Sequence, residues 1–260
     1  MAGHALLVIW PMRALPFLVL LLLSIANPAS AGPRVQPALI GNGPNALINR
    51  INTKKLVEKG QGDALLFFTC YVSPEGKPEN YLIYRETPGA KLLKKEVGNA
   101  LEGCRFIGAI YNGMHTDVMF SGTVVFRVVD GRPHLRIYCN QNRNDIAKGN
   151  DFVAPQIVYN SPDWAALKND PMLEKVKAYL QNGAVEASIT VDANGAQKDL
   201  KVVLEDPSGF RLGEAFRKIY STAKWIPGFR NGHPVDCTFD YDFYFKVWYI
   251  GFEHLGGGGR

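Results

Sequence analysis

Shifted by 119 residues, the chain overlays itself, and no other feature restricts its fold as strongly. From Val72 to Phe126 against Val191 to Phe245 no gap is needed, and 11 of the 55 positions are identical. The identities include Gly76 on Gly195, Pro88 on Pro207, Leu93 on Leu212, Asn112-Gly113 on Asn231-Gly232, Phe120 on Phe239 and Phe126 on Phe245. These are turn formers and core residues, the positions a common backbone most needs. Self-similarity at a fixed period marks a chain built from copies of one supersecondary unit. Upstream, Pro37 to Pro44 resembles Pro155 to Pro162 at a shift of 118, so each unit includes a lead-in segment.

The periodicity within each copy predicts its elements. Val185, Ala187, Ile189 and Val191 alternate with Glu186, Ser188, Thr190 and Asp192, the period of a strand with one buried face. Asp192 to Gly195 turns the chain, and a second strand runs from Asp199 to Glu205. After Pro207-Ser208-Gly209, the residues Leu212, Phe216, Ile219 and Tyr220 recur at helical spacing and end at Trp225-Ile226-Pro227. A closing strand follows Asn231-Gly232, with Phe239, Tyr241, Phe243 and Phe245 alternating with Thr238, Asp240, Asp242 and Tyr244. The first copy predicts strands over 65–72, 79–85 and 117–126, with a helix over 91–102. It adds a hairpin at Asp130-Gly131 leading to a further strand, Pro133 to Cys139. Its first strand carries Leu65, Phe67 and Tyr71 opposite Leu66, Phe68, Cys70 and Val72, so both faces are apolar and both should be covered, by ordinary packing, the other copy or a partner.

The expected fold class is α+β: two tandem β-β-α-β units, each an antiparallel sheet with one helix packed on a face. The expected organisation is a signal peptide over 1–31, a first unit over 36–140, a polar linker over 141–153, a second unit over 154–250 and a flexible tail over 251–260.

The leader sets the compartment. Arg13 precedes an apolar run from Leu15 to Ala26, and Ala29-Ser30-Ala31 supplies the small-x-small pattern of a cleavage site, which predicts a periplasmic or secreted protein. The run falls short of the roughly 20 residues of a spanning helix. The apolar patch over 5–10 could lengthen it into an uncleaved anchor, the one route to membrane contact. Removing the leader takes Arg13 and lowers the net charge from +5 to +4. Basic residues are interleaved with acids along the chain, which argues against a nucleic-acid partner.

An exported chain meets oxidising conditions, and four cysteines, Cys70, Cys104, Cys139 and Cys237, permit pairing. Cys70 aligns with Ile189 on an inner strand face, and Cys104 follows Leu101 on the helix stripe, so both point into one core. Two outcomes stay open there: a Cys70–Cys104 disulfide, or two buried free thiols. No C-x-x-C occurs, and His115, His134, His233 and His254 are scattered, so no metal site or cofactor is expected. No nucleophile elbow, zinc-protease motif or phosphate loop is present, and no catalytic residues are assigned.

The second copy places Gly183-Ala184-Val185, Asp192 to Gly195, Lys224-Trp225-Ile226-Pro227, Asn231-Gly232-His233-Pro234-Val235 and Phe243-Tyr244-Phe245 in order. That series resembles the C-terminal domain of TonB, the periplasmic end of the energy transducers of Gram-negative bacteria. The first copy keeps Gly76, Arg105-Phe106 and Asn112-Gly113 but has Gly108 and His115 where Pro227 and Pro234 stand, a looser likeness.

The resemblance implies a non-enzymatic protein-interaction module, in which an extended segment of an envelope or outer-membrane protein adds to the edge of the last strand. The residues so implied are Thr238, Asp240, Asp242 and Tyr244, although Asp240 and Asp242 could instead guard that edge against pairing. No retained anchor and no long Pro-rich spacer is evident, so a soluble or lightly tethered relative is a better match than an energiser. The rival expectation is a small-ligand-binding protein or enzyme using a cleft between the copies. Oligomeric state is left open.

Overall fold

In the computed structural model, residues 34–149, 151–159 and 182–246 are described. The leader, residues 160–181 of the second copy and the tail therefore lie outside the described residues. In chain order the elements are α1 (Leu47–Arg50), α2 (Thr53–Glu58), β1 (Ala64–Val72), β2 (Pro78–Glu86), α3 (Lys91–Gly103), β3 (Ala109–Tyr111), β4 (Met114–Thr116), β5 (Val118–Val129) and β6 (Arg132–Tyr138). They continue as α4 (Arg143–Lys148), β7 (Phe152–Val153), β8 (Gln156–Ile157), β9 (Asn182–Val191), β10 (Gln197–Asp206), α5 (Leu212–Tyr220), β11 (Trp225–Ile226), β12 (Gly228–Arg230), β13 (His233–Val235) and β14 (Cys237–Lys246). The class is α+β, with antiparallel pairing throughout the sheets.

The first sheet has the order β2-β1-β5-β6 and the second β10-β9-β14. In both, the first strand of the sequence lies in the interior, because a tight turn places the second strand on one side and the closing strand returns on the other. The pairings run Ala64↔Phe126 to Val72↔Val118 and Asn182↔Lys246 to Val191↔Cys237 without a break. β2 and β10 both carry bulges, where their register against the interior strand shifts.

The turns explain several of the coincident glycines. Asn112-Gly113, Asp130-Gly131 and Asn231-Gly232 all have positive φ at both residues, the requirement of the hairpin turn whose twist matches that of its strands. Gly76 and Gly195 answer to a second constraint as well. A Cβ at Gly76 would stand 2.0 Å from the Phe106 carbonyl oxygen, and one at Gly195 would stand 2.3 Å from that of Trp225. In each case the β-hairpin turn is pressed against the chain leaving the helix, and the Phe106 N–H donates to the Gly76 carbonyl at 2.8 Å.

Two cores result. Leu66, Phe68, Cys70 and Val72 meet Leu93, Val97 and Leu101 of α3 beneath the first sheet. Val185, Ala187, Ile189 and Val191 meet Leu212, Phe216, Ile219 and Tyr220 of α5 beneath the second, with Trp225 fully buried among them. Neither helix is capped by its own preceding side chain. Gln61 instead accepts from the Leu93 N–H at 2.9 Å while donating to the carbonyls of Gly62 and Gly89. At α5 the Glu205 carboxylate accepts from the N–H groups of Gly209 and Gly213, where a negative charge is also favoured by the helix dipole.

The polar segment over 141–153 folds into α4 and β7. Arg230 secures it, donating to Asp145 at 2.6 Å and Asp151 at 3.2 Å, with its guanidinium 4.7 Å above the Phe152 ring. The two lead-ins are joined by one amide: Gln156, 3 % exposed, accepts from the Ala38 N–H at 2.7 Å and donates to the Ala38 carbonyl at 2.8 Å.

The second apolar face of β1 packs on residues from the far part of the chain. Tyr71 and Tyr159 share a hydroxyl hydrogen bond of 2.9 Å, and Met119 beside them lies against the second core. Within that core the hydroxyls of Tyr220 and Tyr241 are 3.0 Å apart. Burial pushes the Tyr71 and Tyr220 phenols well above their ordinary range and Tyr241 to about 12, so these three hydroxyls stay protonated and serve as neutral ties.

Candidate functional site: the outer edge of β14

β14 ends its sheet. Its inner edge is paired to β9 along its whole length, and among the described residues no strand pairs with its outer edge. The matching strand of the first sheet, β5, is in a different situation. β6 covers it from Thr123↔Tyr138 to Val129↔Arg132, and Val118 forms a bridge to Val158 at the other end. Over 123–129 and at Val118 the outer main-chain groups of β5 are thus taken up by other strands, whereas no described strand takes up those of β14.

The side chains of β14 divide by face. Phe239 and Tyr241 are buried under α5, with Phe243 packed against the same core. On the opposite face, Thr238 exchanges a hydroxyl hydrogen bond of 2.8 Å with Thr190 and is exposed. Asp240 accepts from the Asn142 side chain at 3.1 Å. Asp242, with only 15 % of its side chain exposed, faces Arg85 at 3.8 Å, and the same guanidinium donates to Glu186 at 2.9 Å. Burial raises the Asp242 carboxyl above its ordinary range, against the opposing pull of Arg85 and with Glu186 and Asp240 adding to the rise. Tyr244 takes part through its backbone, opposite Ala184, and its side chain lies outside the described residues. The four expected site residues therefore lie on one strand, but Asp240 and Asp242 are already engaged by Asn142 and Arg85. Sequence reading misses those two partners because nothing in a pattern of alternating residues reveals which distant element will face it.

The cysteines offer no chemistry at this site. All four are free thiols, and Cys70 and Cys104 are both fully buried. Burial pushes Cys70 well above the usual thiol range and Cys104, Cys139 and Cys237 to about 11, which disfavours the reactive thiolate. Among the described residues no three His, Cys, Asp or Glu side chains are grouped to hold a metal. A depression of about 220 Å³ is lined by residues 40–46 with Arg105, Phe106 and Ile107, all from the first part of the chain. No described helix is long and apolar enough to cross a membrane.

A three-stranded antiparallel sheet is backed by one helix and ends in a closing strand whose outer edge no described strand pairs, the kind of edge to which an extended segment can add. Residues 174–247 match the family model of the Gram-negative bacterial TonB protein C-terminal, to which this part of the chain is similar. That family is periplasmic and non-enzymatic, and its members interact with envelope proteins. No curated protein and no solved structure matches the chain.

Proposed function

We propose that the protein is an exported, non-enzymatic interaction module of the cell envelope, and that the outer edge of β14 takes up an extended segment of an outer-membrane protein. One observation carries the reading: β5 is covered by β6, whereas among the described residues no strand covers β14, the strand in the same sheet position. Main-chain pairing supplies the affinity of such a contact, and alternate side chains supply its selectivity. With Asp242 engaged by Arg85, the side chain most open to an incoming strand is Thr238, followed by Asp240. Asp240 would favour a basic residue opposite it.

On this reading the two sheets descend from one unit, and only the second keeps a functional edge. The first, with its added strand, supports it. The test is photo-crosslinking in the native envelope with a photoreactive residue at Thr238, combined with hydrogen exchange on the purified chain plus the captured segment. Crosslinks confined to one extended stretch of an outer-membrane protein, with new amide protection along 238–246, are expected. Crosslinks spread over folded domains, or a captured segment that leaves β14 amides unprotected, would overturn strand addition.

A further inference from the structure

Among the described residues, the strand that closes off β5 is itself an edge. β6 ends the first sheet, and its side chains alternate so that Arg132, His134 and Arg136 are exposed on one face while Ile137 enters the core. Arg127 lies directly across from His134, extending the same face onto β5. At the strand rise the three β6 side chains recur about every 7 Å. Arg127 has Asp63 at 3.7 Å, but Arg132 and Arg136 have no ion-pair partner among the described residues. Nearby α2 packs against β6 and adds Lys55 and Lys59, both exposed, with Lys54 paired to Glu58. The half-exposed Val129 completes the surface.

We propose that β6 is a second docking edge, which takes an extended acidic segment of a partner protein with carboxylates at alternate positions. Charge complementarity and spacing together select this occupant. A strand added alongside β6 places its own alternate residues about 5 Å from Arg132, His134 and Arg136, on the same face, where opposite charges stabilise the pairing. Basic residues on an edge keep copies of that edge apart. The same row attracts a strand of opposite charge. The inference is separate from the β14 reading, because it concerns another strand, another sheet and another class of segment.

The test uses the full mature chain and a fluorescein-labelled peptide of alternating Glu and Thr, about ten residues long, the length of a long strand. Its isomer, with the same residues but all Glu gathered at one end, is the comparison. Anisotropy should show tighter binding of the alternating peptide, weakened by added salt. The double variant Arg132→Glu/Arg136→Glu should weaken it about tenfold, with an unchanged melting temperature and unchanged crosslinking from Thr238. Should that reversal disturb folding, Arg132→Gln/Arg136→Gln gives the same test with a smaller expected loss. Equal affinity for the two peptides would show plain charge attraction and overturn the strand register. Unaltered binding by the variants would overturn the site. Binding to phosphatidylglycerol vesicles without binding to the peptide would assign the row to a lipid surface and overturn the proposal.

Discussion

Replacing Gln156 by alanine should be among the most damaging single changes away from the apolar cores. The side chain is 3 % exposed, and its amide satisfies both main-chain groups of Ala38, a residue with no exposed surface. Truncation leaves a buried N–H and a buried C=O without partners, each costing about 1–3 kcal/mol. A loss of about 3–4 kcal/mol follows once partial relaxation is allowed for. For a chain of this size that is roughly 10 °C in melting temperature. Gln156→Glu refines the test. A protonated glutamic acid can donate and accept like the native amide, whereas a carboxylate can accept from the Ala38 N–H but must face its carbonyl unpaired. Burial therefore raises the folded-state pKa of the introduced carboxyl above its unfolded value. A raised acid binds its proton more readily when folded, so the variant should be stable at low pH and lose stability as pH rises through the acid range towards neutrality. Thermal melts of wild type and both variants between acid and neutral pH would measure this. A melting shift under about 2 °C for Gln156→Ala, or parallel pH profiles for wild type and Gln156→Glu, would refute the tie.

Other changes probe the remaining devices. Gly195→Ala must hold alanine at a φ of 82° and push a Cβ into the Trp225 carbonyl, so a loss of about 2–4 kcal/mol in chemical denaturation is expected. Gly209→Ala meets the same backbone angle with open space around the new Cβ, and should cost only about 1 kcal/mol. Gln61→Ala removes the surrogate cap of α3 and should cost about 1–2 kcal/mol, with hydrogen exchange accelerated first at Leu93. Asp242 titrates above its ordinary value, so in wild type its ionisation lowers stability as pH rises through the interval between the ordinary and raised values. Asp242→Asn abolishes that titration, and its melting temperature should gain on wild type over the same interval; a constant difference would show that Arg85 fully offsets the burial.

The parts of this fold written in local pattern are readable, and those set by long-range meetings are not. The strict alternation from Val185 to Val191 and the helical spacing of Leu212, Phe216, Ile219 and Tyr220 predict β9 and α5, because both periodicities arise from burying one face. Asp130-Gly131 announces the β5–β6 hairpin, since few residues adopt two successive positive φ values. By contrast, α4 is invisible in a run of Asn, Gln, Asp and Arg. Its order comes from Asn142, which caps it, and from Arg230, which is 85 residues from Asp145 in sequence. The two apolar faces of β1 signal a second covering, but Tyr159 as part of that cover follows from no local pattern. Spacing places Cys70 and Cys104 in one core, where both are buried, while their chemical state depends on the thiols' surroundings.

The engagement of Asp240 and Asp242 bears on how β14 could work. A strand edge guarded by free carboxylates would repel acidic segments and tolerate few others. Here Arg85 draws Asp242 and Glu186 together, and Asn142 holds Asp240, so the carboxylates are positioned by the first sheet and by the segment that follows it. The charge of Asp242 is partly neutralised at the guanidinium, and on the proposed reading the main-chain groups of the outer edge are the principal feature to recognise. The first copy helps to hold that edge in place, since Ala38 with Gln156 and Tyr71 with Tyr159 join the two parts of the chain through hydrogen bonds. A strand that is to receive another chain gains from such a frame, because an edge already ordered loses little further conformational entropy when the partner pairs with it.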